Sequence, residues 1–455
     1  MLLGQTLQNI SNTVLIYPFG LIMLAGMILS IKSGFIQIRA IKHMILTLWR
    51  SATKKEKEGS QTIAAHKALF IAMSTTIGIG NIVGPIIAIG LGGPGALAGF
   101  IVGTIFGSAV TFSEVFLAIS YRKRRDDGSI AGGPMTYLSE VFGNAWAKFY
   151  AYAGFILLIA WSSNQSNTLA VLLASRGVSP YATGIILAIT VTIVLIGGVK
   201  RIGNFSAKLV PAMFIIYCVA MFWILGCHIH QVPAALKLIF TSLWNPQSAI
   251  GATAGFGMAQ AVRWGVARAV QINEIGTGTS TFPHSMAETN SPTDQGILSI
   301  AAVYTNGFLC LMSGLIILVT GAWQEPGAVF DITMFSKILA THFPHFGPQV
   351  LLICSFMFAF GTILGNSYNG SQCFLYTTKN RWINLYYLLS AVVVFLGCIS
   401  EVRFVWTMVD FFVLPVALPH IAGVVVLAFR NRDMFSLKSL NQPNESQSNN
   451  EEGAA

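Results

Sequence analysis

The feature that most constrains this chain is a glycine-rich stretch, residues 74–85 (STTIGIGNIVGP), which lies inside an apolar run long enough to cross a bilayer. Its three glycines and its proline interrupt the helix that the run would otherwise form. Because hydrocarbon cannot replace a missing intrahelical hydrogen bond, irregular backbone at that depth occurs only where it faces protein or a water-filled cavity. The stretch therefore indicates a binding site inside the membrane, with close helix packing as the alternative.

The composition is that of a membrane protein. Of the 455 residues, 54% are hydrophobic and 10% are charged, and the mean hydropathy is +0.66. The net charge of +10 comes from basic residues between apolar segments, so anchoring at a cytoplasmic membrane face explains it better than nucleic-acid binding. The six cysteines form no CxxC pair, and we expect reduced packing residues rather than a disulfide framework.

Runs of about twenty apolar residues, the length that crosses a bilayer as a helix, occur eleven times. They lie near residues 12–32, 66–90, 94–121, 148–174, 179–198, 208–228, 252–281, 296–322, 348–373, 382–400 and 404–429. The sequence therefore predicts an all-α polytopic membrane protein with eleven transmembrane helices.

The basic residues of the loops predict the orientation. The segment after the first span is rich in lysine and arginine, and basic residues recur on the same predicted side at 122–125, 200–201, 379–381 and 430–432. By the positive-inside rule these loops are cytoplasmic. The N-terminus is then outside, and an odd number of spans leaves the C-terminus inside.

A second span is interrupted by glycines and also contains ionisable groups. This seventh span includes Arg263, Arg268, Asn273, Glu274, Gly276 and Gly278. If the first span is peripheral, the other ten form two sets of five, and each set opens with an interrupted helix. That spacing is typical of inverted repeats with a binding site near the bilayer midplane.

The predicted organisation follows from these spans. Residues 35–51 mix apolar and basic positions at helical spacing, which is typical of a helix lying on the inner leaflet. The polar tail is predicted to be disordered. In order, we expect an extra N-terminal transmembrane helix (1–34), a basic interfacial segment (35–65), a first five-helix repeat (66–228), an extracytoplasmic loop (229–251), a second five-helix repeat (252–430) and a cytoplasmic tail (431–455).

Two interrupted helices have a useful chemistry together. A half-helix that begins at a break offers free N–H groups and a positive dipole end, which suit a carboxylate. A half-helix that ends there offers carbonyl groups, which can hold a sodium ion or an ammonium group. The pair therefore predicts a site for a zwitterion, such as an amino acid, beside a coupling cation.

Four motifs make the chain similar to the alanine or glycine:cation symporters, also called the sodium:alanine symporters. They are residues 76–84 (TIGIGNIVG), 91–96 (LGGPGA), 131–137 (AGGPMTY), and 263–268 (RWGVAR) leading into 273–278 (NEIGTG). The resemblance covers nearly the whole chain. It implies a LeuT-like fold of five plus five helices with one extra helix in front, and uptake of alanine and glycine coupled to sodium or, in some members, to protons.

The chain departs from the family pattern within the implied site. Ile79 stands where the family has Thr, Gly361 where it has Ser, Asn366 where it has Trp, Thr111 where it has Lys, and Val413 where Asn is common. Sodium coupling, proton coupling and a non-transporting amino-acid sensor therefore stay open.

The resemblance and the two breaks together yield the candidate residues. Those expected to bind substrate are Thr76, Gly78, Ile79, Gly80, Asn81, Gln165, Asn167, Asn273, Gly276, Gly278 and Asn366. Those expected to bind the cation are Ser74 and Ile77, through their carbonyl groups, and Thr362, through its hydroxyl. Helix–helix hydrogen bonding is the alternative for Gln165 and Asn167, and bonding to its own helix is the alternative for Thr362.

Five charged residues in the apolar spans need partners or water, because an isolated charge in a membrane is costly. They are Glu114, Arg263, Arg268, Glu274 and Asp410. We expect gating or structural pairs, with Arg263 paired to Glu114 or Asp410.

Other functions are less consistent with the sequence. A membrane enzyme would need a nucleophile–base or metal cluster, and neither a GxSxG serine nor an HExxH motif occurs. His228 and His230 lack further ligands, so no metal beyond the coupling sodium and no cofactor is expected. We expect a monomer in the cytoplasmic membrane of a prokaryote, with a small amino acid, sodium and the bilayer as its partners.

Overall fold

The computed structural model describes residues 16–53, 62–124, 130–244, 257–289, 291–379 and 381–435. The predicted disordered tail lies outside these ranges from residue 436 onward, as do residues 245–256 of the predicted outer loop and the opening of the second repeat.

The first part of the chain is helical apart from one short hairpin. Its elements are α1 (Ile16–Lys32), α2 (Ile36–Arg39), α3 (Ile41–Thr53), α4 (Ala65–Thr76), α5 (Gly80–Gly92), α6 (Ala96–Ser120), β1 (Lys123–Arg124), β2 (Ile130–Ala131), α7 (Pro134–Phe142), α8 (Asn144–Ala174), α9 (Pro180–Leu195) and α10 (Gly198–Cys227). The strands β1 and β2 pair antiparallel.

In the second part, the secondary-structure elements of the described residues are helices, apart from an isolated bridge between Ala287 and Ile63. Its elements are α11 (Val232–Thr241), α12 (Gly257–Ile272), α13 (Thr281–Ser285), α14 (Pro292–Val319), α15 (Ile332–His342), α16 (Gly347–Thr377), α17 (Ile383–Ile399) and α18 (Val402–Arg430), with 3-10 turns at Ala322–Gln324 and Arg432–Phe435.

The apolar helices correspond to the predicted spans. Within the described residues, six helices are long and apolar enough to cross a membrane, namely α6, α8, α10, α14, α16 and the 411–430 part of α18. The pair α4 and α5 qualifies as one span bent by 44°. The helices α1, α9 and α17 at three other predicted positions are apolar but shorter, and α12 and α13 lie at the remaining one. The chain is therefore an all-α, multi-pass membrane protein.

Several elements differ from the expectations. The helix predicted over 35–51 is divided into α2 and α3, and α10 begins at Gly198 rather than near 208. The helices α7, α11 and α15 were not predicted, because each is too short to give a membrane-span signal. Pro stands in the first turn of α7 and α11, and the Asp331 carboxylate accepts from the Thr333 N–H at the start of α15, so local start signals were present.

Two glycines that stand four residues apart on α6, Gly99 and Gly103, pack against α12. A Cβ added at Gly99 would lie 2.9 Å from Val262 Cα, and one at Gly103 would lie 2.6 Å from Ala269 Cβ. Neither contact leaves room for a side chain. Because lipid is as apolar as the helix surfaces, such close backbone approach is a principal source of helix association in a membrane.

The segment before α4 and the segment after α13 are joined by hydrogen bonds. The Ile63 N–H donates to Met286 O at 3.0 Å, and the Glu288 N–H donates to Ile63 O at 2.7 Å. Arg122, just after α6, donates to the carbonyls of Ser285, Ala287 and Thr289 beyond α13. The segments preceding α4 and following α13 are therefore held as one unit on that face of the bundle.

Helix α15 is joined to the end of α10 by a histidine pair. The Nε2 atoms of His228 and His342 lie 2.8 Å apart, and His342 Nδ1 donates to Ile338 O. Burial, together with the neighbouring His342 ring, lowers the pKa of His228. This contact between the two rings joins α15 to the end of α10.

The close packing of α6 and α12 predicts the effect of Gly265→Ala. A Cβ at Gly265 would lie 2.0 Å from Ala96 O and 2.6 Å from Phe100 N, which are backbone atoms that a rotamer change cannot move. We expect a loss of roughly 1–3 kcal/mol or more, the usual cost of overpacking, measured as a lower midpoint of thermal unfolding in detergent.

The matched control is Gly226→Ala on α10, where an added Cβ meets nothing within 4 Å. Because alanine favours a helix over glycine, this variant should be neutral or slightly stabilised. Equal unfolding midpoints for the two variants would contradict the proposed packing.

Candidate functional site

The first break separates α4 from α5 at residues 77–79. Ile77 has extended backbone (φ −83°, ψ 90°), which ends the helix. The Gly78 N–H donates to Asn81 Oδ1 at 3.0 Å, and the Ile79 N–H donates to Gln165 Oε1 at 3.2 Å. Side-chain oxygens thus replace the helical acceptors that the break removes.

The second break separates α12 from α13 at residues 273–280. Three residues there have left-handed backbone, with φ of 53° at Glu274, 81° at Gly276 and 78° at Gly278. The two glycines adopt it without the steric cost that a Cβ brings. Both interrupted helices predicted from the sequence are therefore present.

Three carbonyl groups of the second break accept hydrogen bonds from other helices. The pairs are Tyr150 Oη (α8) to Thr277 O at 2.5 Å, His420 Nδ1 (α18) to Gly276 O at 2.7 Å, and Asn369 Nδ2 (α16) to Thr279 O at 3.1 Å. Because a carbonyl only accepts, His420 Nδ1 carries a proton in this arrangement. The irregular backbone is thus held from three sides.

A cavity of about 60 Å³ lies between the two breaks. Its lining is contributed by α4, α5, α8, α12, α16 and α18. The buried Asn366 amide points into it, and within the described residues neither its Oδ1 nor its Nδ2 has a hydrogen-bond partner. An unsatisfied buried amide is costly, so Asn366 is available to a bound polar molecule.

The structure brings eight of the predicted residues together around this cavity. They are Thr76, Gly78, Gly80, Gln165, Arg268, Glu274, Thr362 and Asn366. Further residues that the sequence reasoning did not select also line it, and these are Thr75, Gly84, Trp161, Asn164, Gln271, Ile272 and Val409.

Other predicted residues are placed next to the cavity or away from it. Asn167 donates to Gly397 O and Ser400 O near the end of α17, both at 2.8 Å, so it joins two helices. Gly278 faces His420. Asn81 accepts from the Gly78 N–H, and both Asn81 and Asn273 are bonded to the side chain of Asn306.

A chain of three amides links the two breaks. Asn81 Nδ2 donates to Asn306 Oδ1, and Asn306 Nδ2 donates to Asn273 Oδ1 at 2.8 Å. Asn306, on α14, is fully buried and was missed in the sequence. The available signal was a lone amide in the middle of an apolar span, which needs an internal partner in a membrane.

The candidate cation residues lie where α16 passes the first break. Thr362 Oγ1 is 3.3 Å from Ile77 O, to which it donates, so its hydroxyl and that carbonyl are adjacent oxygens. The Ser74 hydroxyl bonds Ile71 O of its own helix at 2.7 Å, which leaves its carbonyl as the group relevant to the prediction.

The membrane-embedded charges are arranged differently from the expectation. Glu114 Oε1 lies 3.6 Å from Nδ1 of the fully buried His420, so the partner of Glu114 is His420 and the suggested Arg263–Glu114 pair is wrong. His420 was missed because its partners come from distant parts of the chain. The side chain of Asp410 lies outside the described set.

The two arginines of α12 border cavities. Arg268 donates to Gln271 Oε1 at 2.6 Å, and both residues line the central cavity. Arg263 stacks on Trp264, with 5.1 Å from its guanidinium carbon to the ring centroid. Both arginines also line a second cavity of about 350 Å³ between α1, α6 and α12.

Solved structures share this fold. The chain matches MhsT in complex with L-phenylalanine with a TM-score of 0.58 and 15% identity, covering 81% of this chain and 89% of that one. It matches a Na⁺-coupled sialic acid symporter with a TM-score of 0.54 and 12% identity, covering 89% and 82%. The chain therefore shares the overall fold of these two proteins.

Sequence comparison identifies the family of this chain. Residues 2–451 match the sodium:alanine symporter family, and the chain belongs to that family. It is 33% identical to the sodium/alanine symporter AgcS of Methanococcus maripaludis over 93% of this chain and 94% of that protein. It is 32% identical to an uncharacterized transporter of Haemophilus influenzae over 96% and 98%. The family and these relatives are transporters, not enzymes.

The open space beside Gly80 predicts the effect of Gly80→Leu. Gly80 lines the cavity, and an added Cβ would meet only Ile272 Cγ1, at 3.9 Å. The larger side chain should therefore fill the cavity without disturbing the helices, and substrate binding should be lost while membrane insertion is kept. Binding of radiolabelled alanine to the purified protein, alongside its thermal unfolding, measures both effects.

The control for this variant is Gly20→Leu on α1, where an added Cβ meets nothing within 4 Å. It should bind as the wild type does. Unchanged alanine binding by the Gly80 variant would show that the site lies elsewhere.

Proposed function

We propose that this protein is a secondary active symporter that imports small neutral amino acids, with alanine and glycine as the first candidates, together with sodium. Membership of the sodium:alanine symporter family and the similarity to AgcS support this proposal. Another relative, in Bacillus subtilis, is named a putative sodium/proton-dependent alanine carrier and is 32% identical over 85% of this chain and 82% of that protein.

The observation that carries the proposal is the small cavity between the two breaks. Its volume is about 60 Å³, and a cavity needs roughly 10–15 Å³ to hold one water molecule. The space therefore suits a handful of heavy atoms, as in glycine or alanine. A long side chain would need the lining to move.

The chemistry of the lining suits a zwitterion. At Gly78 and Gly80 the backbone approaches the cavity without a side chain, and α5 begins there with its positive dipole end. The Gly78 N–H is already bonded to Asn81, so in our proposal the Gly80 peptide group at the start of α5 binds the carboxylate. Asn366 and the Glu274 side of the cavity bind the ammonium group. Asn81 and Asn273 act indirectly, by holding the two breaks in register.

The proposed sodium ligands are the carbonyl oxygens of Ser74 and Ile77 and the hydroxyl of Thr362. Carbonyl and hydroxyl oxygens suit a hard monovalent cation, and the adjacency of Thr362 to Ile77 O supports the assignment. Gly361 supplies no second hydroxyl, so we expect weaker sodium binding than in a relative with Ser at that position.

The proposed architecture has eleven spans, with α1 as an extra helix ahead of two inverted five-helix repeats. We infer a cytoplasmic-membrane location, an N-terminus outside and a C-terminus inside, and a monomeric carrier. Alternating access would then require separation of the ties at Ile63 and Arg122, since they close one face of the bundle.

A second candidate is proton-coupled symport. The observation that favours it is the presence of two buried carboxyl groups, Glu114 and Glu274, beside the second break, with His420 next to one of them. Carboxyl groups and histidines inside a membrane are the usual carriers of protons in transporters.

Uptake into proteoliposomes tests the function directly. An inward sodium gradient should drive accumulation of labelled alanine and glycine, and unlabelled serine should compete. Accumulation driven by a pH gradient alone would identify protons as the coupling ion. Binding without accumulation under either gradient would contradict transport and indicate a sensor.

The proposed sodium site predicts the effect of Thr362→Val, which keeps the shape of the side chain and removes its oxygen. Loss of one buried ligand should cost about 1–3 kcal/mol, so the sodium concentration for half-maximal alanine uptake should rise about 5- to 150-fold. Thr192→Val on α9 is the control, because that hydroxyl bonds Ala188 O of its own helix. Identical sodium dependence in both variants would exclude Thr362 as a ligand.

A further inference from the structure

Three ionisable side chains from three different helices meet beside the second break, outside the cavity lining. They are Glu114 on α6, Tyr137 on α7 and His420 on α18, and we call them the acid–base cluster. Glu114 is 1% exposed, and Tyr137 and His420 are 0% exposed. Tyr137 Oη lies 2.5 Å from His420 Nε2, and Glu114 Oε1 lies 3.6 Å from His420 Nδ1.

The cluster is bonded to the backbone of the second break. His420 Nδ1 donates to Gly276 O, and its Nε2 then accepts from the Tyr137 hydroxyl. The backbone N–H groups of Gly276 and Gly278 face the Glu114 carboxyl. The positions of the Gly276 and Gly278 peptide units and the protonation of the cluster therefore depend on each other.

The charges around the cluster do not balance without a proton. With neutral His420, an ionised Glu114 would place a net negative charge in a buried region that already contains a second carboxyl, Glu274, whose oxygen accepts from the Thr279 hydroxyl. Within the described residues, the only ion pair of either carboxyl is that of Glu114 with His420. A buried net charge is costly.

The other titratable groups near the cluster are not bases. Tyr150 of α8 stacks at 5.6 Å from the His420 ring, and Cys373 of α16 lies near Tyr150. On α1, Lys32 lies over the Phe429 ring at the helix end. No described basic group other than His420 therefore compensates Glu114.

An unsatisfied atom marks where a proton would reside. Within the described residues, Glu114 Oε1 is buried and has no hydrogen-bond partner. A carboxylate oxygen left in that state is unfavourable, whereas a carboxylic acid or a glutamate–imidazolium pair is not. Either form places one extra proton on the Glu114–His420 pair.

We propose that Glu114 and His420 form a proton-binding site whose occupancy is coupled to the conformation of the second break. The proton is bound while the break has the geometry seen here and is released when α13 and the glycine backbone rearrange. The inference rests on the proposed function, because the same break closes the substrate cavity. It adds a proton step to the transport cycle, carried by residues that do not touch the substrate.

Linkage makes this coupling measurable. If the proton stabilises the conformation of the break that holds the substrate, protonation raises the affinity for substrate. Bound substrate then raises the affinity for the proton by the same factor, so substrate binding is accompanied by proton uptake. For one linked proton, affinity falls by up to about tenfold for each unit rise in pH across the titration range.

The decisive measurement uses the purified wild type in detergent with saturating sodium chloride. The affinity for alanine should fall as pH rises between about 5.5 and 8.5, and addition of alanine in weak buffer should take up protons, followed with a pH dye. A wild type whose affinity is independent of pH, or whose binding moves no proton, would overturn the proposal.

Two variants assign the proton to the cluster. Glu114→Gln imitates the protonated acid and should bind alanine with an affinity that no longer varies with pH. His420→Gln keeps a donor for Gly276 O and an acceptor for Tyr137 but removes the imidazole, so only the Glu114 carboxyl can hold the proton, and the pH response should persist at the same or a lower pH. An unaltered pH response in both variants would overturn the assignment.

The matched control is His284→Gln, a fully buried histidine on α13 whose Nδ1 bonds Gln295 instead. It should keep the wild-type pH response. Because binding and proton uptake are measured without a gradient, they can succeed even if sodium-driven accumulation fails, which separates this proposal from the transport assignment.

Discussion

Every peptide group in a hydrocarbon interior needs a partner within the protein, and the two broken helices meet this requirement through side chains of other helices. At the first break, Gln165 and Asn81 accept the freed N–H groups. At the second, Tyr150 and other donors hold the freed carbonyl groups. Helix α8 supplies both Tyr150 and Gln165, which are about 22 Å apart along its axis at 1.5 Å per residue. One helix therefore supports both breaks.

These hydrogen bonds explain why the cavity is small and why few polar groups in it are free to bind a ligand. Most polar groups of the breaks are already occupied, and the amide chain through Asn306 fixes one break relative to the other. What remains open to a ligand is the Gly80 peptide group at the start of α5, the Asn366 amide and the groups around Glu274. A site of this kind selects substrates by their size and by contacts with their carboxylate and ammonium groups, rather than by a pocket for a long side chain.

The same requirement connects binding to movement. The carbonyl of Gly276 is bonded to His420, and the second break ends in α13, whose far end is tied to the segment before α4 and to Arg122. A displacement of α13 must therefore alter the acid–base cluster and the ties together. Chemical steps at the break and the opening of one face of the bundle are, in our proposal, parts of one rearrangement.

The sequence by itself determined the helical membrane architecture and both breaks, because apolar length, glycine and proline act locally along the chain. It also placed eight residues that line the cavity, including Thr362 and Asn366. Only the tertiary structure decided that Asn167 joins two helices, that Asn306 links the breaks and that His420 is the partner of Glu114. Those roles depend on which face of each helix meets which neighbour, and Glu114 and His420 stand on helices far apart in sequence, so no local pattern specifies their contact.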